Sequence, residues 1–325
     1  MTTTPEGRGV QERVGADLPE PELPPITSVV VTAGDDRVEV FHRDSGHATD
    51  AAGRPTYVLV HGLGGSLANW EPLWPQLAAH GRVLALDLAG FGRTRGSHRS
   101  AVADNVELLA AYIRQLDLRD VVLVGNSMGG MIAAMLAATH PDLVTRLVLV
   151  DPVLPLHPKD RPHWSVLVTF ALYMCPPAAR AVIPRYAQRR GIDRMGVEGV
   201  LTVVADPRRV PRWVMRRAVE ETRALAENQD AVPALVRAAN SLVVAAASPA
   251  YRRALRDIAA PVTLVHGELD RLVPVSAARR ISARHARWTY VEGRGLGHVP
   301  IYEDAAWVAR CIVDPDAWQG SPTVE

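Results

Sequence analysis

Residues 121–130 read VVLVGNSMGG, and this stretch decides the fold. The run VVLV is typical of a strand buried on both faces, and the residues after the glycines, MIAAMLAATH, follow a helical pattern. Between them a G-x-S-x-G sequence surrounds Ser127 with small residues. At such a strand-to-helix turn the serine adopts a strained backbone conformation and projects its hydroxyl above the sheet edge. We therefore interpret Ser127 as a nucleophile rather than an ordinary turn residue, and we expect side chains at Gly125 or Gly129 to collide with neighbouring elements.

Similar apolar runs recur on both sides of this stretch and alternate with helical patterns. A hairpin is predicted from residues 27–33 and 37–43 around Gly34. Continuous apolar runs predict strands at 57–62, 82–87, 121–125, 146–151 and 262–267. Helical patterns lie at 68–80, 101–116, 128–140, 276–286 and 302–312. The alternation predicts an α/β fold with a mostly parallel central sheet and helices on both faces.

The alternation is interrupted between residues 156 and 254, where helical patterns occur without a convincing strand. We predict a core formed by 26–155 and 255–316, with 156–254 inserted as a helical cap over the carboxyl edge of the sheet. Ligands bind at that edge in open parallel sheets. Residues 1–25 contain five prolines and almost no large apolar side chain, so we predict a disordered N-terminal segment. Residues 317–325 are predicted to form a C-terminal tail.

Composition limits the classes of function. The 325 residues include 36 basic and 35 acidic ones, and a formal charge of +1 gives no reason to expect a nucleic-acid partner. Cys175 and Cys311 lack the spacing of a disulfide scaffold or a zinc site, and the chemistry below requires neither metal nor organic cofactor. The absence of an apolar signal segment or a span-length apolar run favours a cytoplasmic location.

A nucleophilic serine needs a base and a carboxylate that orients the base. His298, in the glycine-rich loop RGLGHVPIYED downstream of Ser127, is the base that we predict among eleven histidines. Asp270, in GELDRLVP after a predicted strand, is placed to meet His298. Two alternatives remain open: Asp270 caps the following helix, or Asp151, at the end of another strand, is the orienting carboxylate.

The stretch HGLGGSLANW at 61–70 follows a strand, and its glycines allow the backbone to approach a substrate. We predict an oxyanion hole formed by the N–H groups of Leu63 and Met128, with Gly64 as the second choice for the first donor. His61 precedes the serine, and we interpret it as a residue that packs the loop.

Five loops, HGLGG, DLAGFGRT at 87–94, GNSMGG, GELDRLVP and GHVPIYE, occur in an order that resembles the α/β-hydrolase fold superfamily. The resemblance covers about 26–155 and 255–313, and the predicted cap lies where that superfamily carries its cap domain. It implies a serine hydrolase with the triad Ser127, Asp270 and His298, which acts through an acyl-enzyme that water resolves.

Differences within the superfamily narrow the activity. Haloalkane dehalogenases and epoxide hydrolases use an aspartate nucleophile, so Ser127 argues against both. Hydrolases of carbon–carbon bonds in meta-cleavage products share a GNSMGG-like turn, but they usually carry a longer glycine run with proline in the oxyanion loop and a tryptophan after the catalytic histidine. We expect an esterase for a small to medium apolar substrate. Carbon–carbon hydrolysis, acyl transfer, perhydrolysis and noncatalytic ligand binding remain alternatives.

The predicted cap is rich in arginine. Residues 157–217 contain twelve basic and four acidic side chains, and WSVLVTFALYM at 164–174 predicts an apolar helix. Such a region suits either a membrane surface or an ordinary cap whose apolar stripe packs on the core, and we favour the second. An apolar pocket under the cap would accept an acyl chain or a ring. The oligomeric state stays open.

Overall fold

A computed structural model describes residues 15–46, 53–160 and 162–318. Its centre is an eight-stranded sheet with the order β1-β2-β4-β3-β5-β6-β7-β8. The strands are β1 Ile26–Ala33, β2 Asp36–Asp44, β3 Thr56–Val60, β4 Arg82–Leu86, β5 Val121–Asn126, β6 Arg146–Val150, β7 Val262–Gly267 and β8 Thr289–Gly293. Strand β2 runs antiparallel to β1 and β4, and the remaining pairs are parallel. The predicted mostly parallel sheet is confirmed.

Helices cover both faces of the sheet, as predicted. The core helices are α1 Trp74–Ala78, α2 Val102–Gln115, α3 Met128–Thr139, α9 Pro249–Asp257, α10 Val275–Ser282, α11 Pro300–Glu303 and α12 Ala305–Val313. Alternate residues of β3 serve the two faces: Val58 and Val60 join the cluster that contains α2, α3, α9 and α10, whereas Tyr57 and Leu59 join that of α1, α11 and α12. Because a strand projects successive side chains to opposite faces, an entirely apolar strand indicates burial on both.

The helix predicted at 68–80 differs in the structure. It consists of a 3-10 helix, Leu67–Leu73, followed by the short α1. Pro72 and Pro75 lie inside this stretch, and a proline has no N–H for the hydrogen bonds of a continuous α-helix. The apolar periodicity was sufficient to predict a helix but not its type.

Five helices lie between β6 and the α9–β7 segment, as an inserted cap. They are α4 Trp164–Tyr173, α5 Pro176–Arg190, α6 Ile192–Val203, α7 Arg212–Ala226 and α8 Ala231–Ala247. Helix α9 crosses the boundary predicted between residues 254 and 255, and it contacts both α8 and α3. The cap therefore returns to the core through a helix rather than a loop.

The prediction of disorder over residues 1–25 does not hold for residues 15–25, while residues 1–14 lie outside the described part of the chain. The N–H of Ala16 donates to the carbonyl of Val210 at 2.7 Å, and Glu20 forms ion pairs with Arg216 and Arg217. Backbone pairing and charge hold this segment against the cap, so the scarcity of large apolar side chains was a misleading signal.

No single helix in the described ranges is long and apolar enough to cross a membrane. Two bent pairs, α4 with α5 and α7 with α8, reach the required length and composition only when each pair is taken together.

Candidate active site

Ser127 occupies a strained turn between β5 and α3. Its backbone has φ 55° and ψ −117°, a conformation that costs a non-glycine residue about 1–3 kcal/mol. The surrounding glycines are required by space, as predicted: a Cβ on Gly125 would lie 2.4 Å from the carbonyl oxygen of Gly129, and one on Gly129 would lie 2.2 Å from that of Val60. The N–H of Ser127 donates to the Val150 carbonyl at 3.1 Å, which ties the turn to β6.

His298 lies in the loop between β8 and α11, where it is buried. Its Nδ1 is 2.7 Å from Oδ2 of Asp270. The amide of Asn126 donates to the carbonyl of His298 at 3.2 Å and to that of Val150 at 3.0 Å, so the residue before Ser127 connects the histidine loop to the turn. The sequence did not single out Asn126, although it belongs to the quoted motif.

Asp270 is oriented by the loop that follows β7. Its Oδ1 accepts the N–H groups of Leu272 at 2.7 Å and Val273 at 3.0 Å, which leaves Oδ2 directed to His298. Helix α10 begins after Pro274, so Asp270 does not cap it, which settles one of the two alternatives. Burial alone would raise the pKa of Asp270, but the adjacent His298 ring and these hydrogen bonds hold it below its ordinary value.

Asp151, the rival carboxylate, lies fully buried at the end of β6. Its Oδ1 accepts the N–H of Gly267 at 2.7 Å, whereas the Nδ1 of His298 is bonded to Asp270. Burial and then the negative charge of Asp270 raise the pKa of Asp151 well above its usual value, which favours a neutral carboxylic acid. The structure thus pairs Asp270, not Asp151, with His298.

A cluster of possible metal ligands lies behind this pair. Ligand atoms of Asp151, His266 and Asp270 are within 4.8 Å of one another. Most of these ligand atoms already form hydrogen bonds. Asp270 accepts from His298 and from two N–H groups, and the Nε2 of His266 lies 2.9 Å from the carbonyl of Val273. Among the ligand atoms of these three residues, only Oδ2 of Asp151 and Nδ1 of His266 lack a hydrogen-bond partner, two atoms against the three or four protein ligands of a typical zinc site.

The loop after β3 lies directly against the nucleophile. A Cβ on Gly62 would stand 3.1 Å from the Cβ of Ser127, and Gly64 has φ +73°. Leu63 and Gly64 line the same cavity as Ser127. The N–H of Met128, at the first position of α3, has no partner within the helix because the first four N–H groups of an α-helix never do.

His61 shapes this loop, in agreement with its predicted packing role. Its Nε2 accepts the N–H of Leu88 at 3.0 Å, and its Nδ1 lies 2.8 Å from the carbonyl of Gly62. Burial lowers the pKa of His61 to about 4, so the ring is neutral at physiological pH. These bonds join the carboxyl ends of β3 and β4.

Asp87, in the DLAGFGRT loop, helps to hold the loop after β3. It was not among the predicted site residues. Its two carboxylate oxygens accept the N–H groups of Leu67 at 2.7 Å and Arg93 at 2.8 Å. Gly92, with φ +52°, packs so closely that a Cβ would lie 2.2 Å from the Asp87 carboxyl carbon. Burial raises the pKa of Asp87 to about 7. Its position at the end of a predicted strand was the signal that could have identified it.

A cavity of about 820 Å³ opens above Ser127 and His298. The core side contributes Leu63 and Gly64, and the cap side contributes mainly apolar residues, among them Val166, Phe170, Tyr173, Trp213, Leu225 and Val243. The predicted apolar pocket under the cap is therefore present. It is large enough for a drug-sized ligand.

This chain is similar in sequence and fold to known proteins. Residues 55–305 match the family model described as alpha/beta hydrolase fold. A pimeloyl-[acyl-carrier protein] methyl ester esterase from Aromatoleum aromaticum is 30% identical over 277 residues, which cover 80% of this chain and 98% of that protein. A 2-hydroxy-6-oxo-2,4-heptadienoate hydrolase from Pseudomonas putida is 43% identical over 107 residues, 31% of this chain, and the match spans only 38% of that relative.

Among solved structures, a bacterial membrane phospholipase A superposes with a TM-score of 0.67 at 25% identity, covering 91% of this chain and 87% of that one.

Proposed function

The chain belongs to the alpha/beta hydrolase fold family, and from that premise we propose that it is a serine hydrolase that cleaves a carboxylic ester with an apolar acyl group. One observation carries the proposal: Ser127, in its strained turn, and His298, whose Nδ1 lies 2.7 Å from Oδ2 of Asp270, both line one largely apolar cavity. This is the combination of nucleophile, base and orienting acid that acyl transfer through serine requires.

In this mechanism Oγ of Ser127 attacks the ester carbonyl carbon while Nε2 of His298 takes the hydroxyl proton. The tetrahedral intermediate expels the alcohol, which receives that proton, and an acyl-serine remains. Water then attacks the acyl-serine, with His298 again acting as base and then as acid, and the free acid leaves. Asp270 accepts the Nδ1 proton of His298 in a hydrogen bond and stabilises the imidazolium formed in each half-reaction.

The N–H groups of Leu63 and Met128 are the proposed oxyanion donors. The close approach of Gly62 to Ser127 supports this assignment, because it brings the loop that carries Leu63 beside the reacting oxygen. The loop is held by buried hydrogen bonds of His61 and Asp87, so little reorganisation is needed as charge develops. Removing one donor of this kind typically costs about 3 kcal/mol of transition-state stabilisation.

The apolar lining supports a small to medium apolar acyl group as the substrate. The relative from Aromatoleum aromaticum, matched over nearly its whole length, is named as a methyl ester esterase, which supports ester rather than amide hydrolysis. Carbon–carbon hydrolysis is the second candidate, and it is favoured by the 43% identity to the 2-hydroxy-6-oxo-2,4-heptadienoate hydrolase over 107 residues.

The first test combines labelling and kinetics. Purified protein is treated with a fluorophosphonate probe, the adduct is mapped by peptide mass spectrometry, and hydrolysis of aryl esters of graded acyl length is measured. We expect an adduct on Ser127 and a loss in kcat/KM of about 1,000-fold or more in Ser127→Ala. Ser28→Ala, on the exposed face of β1, is the matched control and should behave as wild type.

Four results would redirect the proposal. Turnover that survives Ser127→Ala would overturn Ser127 as the nucleophile, whereas the absence of both adduct and turnover would favour a noncatalytic ligand-binding protein. Faster turnover of a vinylogous 1,5-diketone than of any ester would favour carbon–carbon hydrolysis. Partition of the acyl group to an added alcohol or to peroxide in preference to water would favour acyl transfer or perhydrolysis from the same acyl-serine.

A further inference from the structure

Helix α4 presents an apolar face to solvent. Trp164, Leu167 and Val168 are 68%, 58% and 60% exposed, and no residue of the helix is buried. Their i, i+3, i+4 spacing places them together on the outer side of the helix. Single exposed apolar residues are common, but a contiguous patch of large ones marks an interaction site. Phe170, on the other side of the helix, packs against the core as expected, so the exposed patch is an additional feature of α4.

The inner side of the same helix is also apolar. Val166 and Phe170 line the cavity above Ser127. A helix that is apolar all round is ordinarily enclosed by protein or by lipid, and the chain encloses only this inner side. Leu167 lines the cavity as well and is exposed, and so is Leu156, at 46%. Since both side chains face the cavity and solvent together, the mouth of the cavity lies beside them.

Helix α5, which follows α4 in the chain and contacts it, is positively charged. It contains four arginines and no Asp or Glu. Arg190 forms an ion pair with Glu198, whereas Arg180, Arg185 and Arg189 are exposed and are not ion-paired with any carboxylate that the structure describes. Several acidic residues elsewhere in the cap already pair with arginines, as Asp193 does with Arg223 and Glu220 with Arg217. The charge of α5 is thus available to an external anionic partner.

An anionic bilayer matches both features at once. Its headgroups attract arginines, and its acyl layer accepts protruding apolar side chains, including a tryptophan at the interface. An acidic protein would satisfy the arginines but would leave the apolar outer face of α4 against a charged surface. A second copy of this chain would cover the apolar face but would bring the same positive charges together.

We propose that α4 and α5 form a membrane-docking surface, made of Trp164, Leu167, Val168, Arg185 and Arg189, that rests on an anionic phospholipid bilayer. The mouth of the cavity then faces the acyl layer, and an apolar substrate passes Leu156 and Leu167 into the cavity without crossing water. Docking does not depend on the chemistry proposed at Ser127, because it is measured as binding.

The test is flotation of the full-length protein with extruded vesicles of phosphatidylcholine alone or mixed with phosphatidylglycerol, in the Ser127→Ala background to prevent any lipid hydrolysis. One variant, Trp164→Ser with Val168→Ser, removes apolar side chains that do not line the cavity. A second, Arg185→Gln with Arg189→Gln, removes the charge. Val30→Ser, an exposed apolar residue on the edge strand β1, is the matched control.

We expect the parent protein to float with the phosphatidylglycerol vesicles and much less with pure phosphatidylcholine. The Trp164/Val168 variant should bind at least about tenfold more weakly, and the arginine variant about fivefold more weakly for each charge removed. Val30→Ser should bind as the parent does. Unchanged thermal unfolding of each variant, and unchanged turnover of a short aryl ester when the same substitutions are made with Ser127 intact, would show that the fold and site are intact.

Four outcomes would overturn the proposal. The first is that the parent protein does not float with either kind of vesicle. The second is that the Trp164/Val168 variant binds as tightly as Val30→Ser. The third is that binding is lost at high salt but is insensitive to the Trp164/Val168 change, which would indicate charge attraction alone and would favour an acidic protein partner. The fourth is that the protein is dimeric without lipid while the Trp164/Val168 variant is monomeric, which would make a second copy the occupant.

Discussion

Helix α3, which begins at the nucleophile turn, buries nine of its twelve residues, whereas helix α4 in the cap buries none. Both helices are strongly apolar, so composition does not distinguish them. The difference lies in what surrounds them: α3 packs between the sheet and neighbouring helices, and α4 covers a cavity on one side and meets solvent on the other. The nucleophile turn therefore lies where neighbouring elements pack on every side, whereas α4 lies between the cavity and solvent.

The largest effect is expected at the His298–Asp270 pair. Asp270→Asn should lower kcat for ester hydrolysis by about 10,000-fold, because an amide can no longer stabilise the imidazolium of His298. Asp151→Asn should lower kcat by less than about tenfold, because it replaces a buried acid whose raised pKa already favours the neutral form. Steady-state kinetics of both variants, with melting curves to confirm folding, make the comparison. Equal losses in the two variants would reassign the orienting role to Asp151.

The second comparison uses two helical glycines. Gly129→Ala should destabilise the protein by about 3 kcal/mol or more, because its Cβ would lie 2.2 Å from the Val60 carbonyl oxygen and 2.5 Å from that of His61. Gly199→Ala in the cap helix α6 meets no atom within 4 Å and should stabilise by about 0.5–1 kcal/mol. Urea unfolding measures both, and a destabilised Gly199→Ala would show that the cap is packed more tightly than the structure indicates.

A third effect depends on pH and arises from Asp87. Its pKa is about 7 in the folded protein, against 3.8 as the ordinary value, so between these limits the folded state holds a proton that the unfolded chain has released. The protonated carboxyl of Asp87 therefore stabilises the folded state fully below about pH 4, and this stabilisation is lost as the pH rises to about 7. The free energy of unfolding changes by an amount on the order of 4 kcal/mol.

Asp87→Asn should remove this pH dependence from the free energy of unfolding. Denaturant titrations at pH 4, 5, 6 and 7 test it, with Asp142→Asn at an exposed position as the control for loss of one negative charge. If the difference between wild type and Asp87→Asn were constant across this range, the carboxyl of Asp87 would be ionised throughout.

The smallest effect is expected at an exposed ion pair of the cap. Asp193 and Arg223 are 2.6 Å apart, with 40% and 51% of their side chains exposed. Asp193→Asn should change the free energy of unfolding by no more than about 1 kcal/mol, and by less at high salt, because water and ions screen the pair. A larger loss at high salt, measured by thermal unfolding, would mean that this pair holds α6 on α7 by more than charge.

Much of the fold was predictable from local patterns. The apolar runs that predicted β3 to β7 are strands within a residue or two, and the glycine pattern around Ser127 correctly predicted the tight turn, since the constraint involves near neighbours in the chain. The helix at 68–80 was misjudged because prolines alter hydrogen bonding without disturbing apolar periodicity. Residues 15–25 were misjudged because their partners, Val210, Arg216 and Arg217, are nearly two hundred residues away.

By itself, then, the sequence determined the order of strands and helices, the sharp turn at Ser127 and the place of the helical insertion, because periodicity and backbone strain act over a few residues. Only the tertiary structure decided which of two carboxylates, Asp151 or Asp270, meets His298, and that α4 turns Trp164 and Val168 outward. Those outcomes depend on how loops from distant strands converge and on what remains uncovered once the core has packed. The spacing of residues along the chain does not indicate how distant loops converge or which surface stays uncovered.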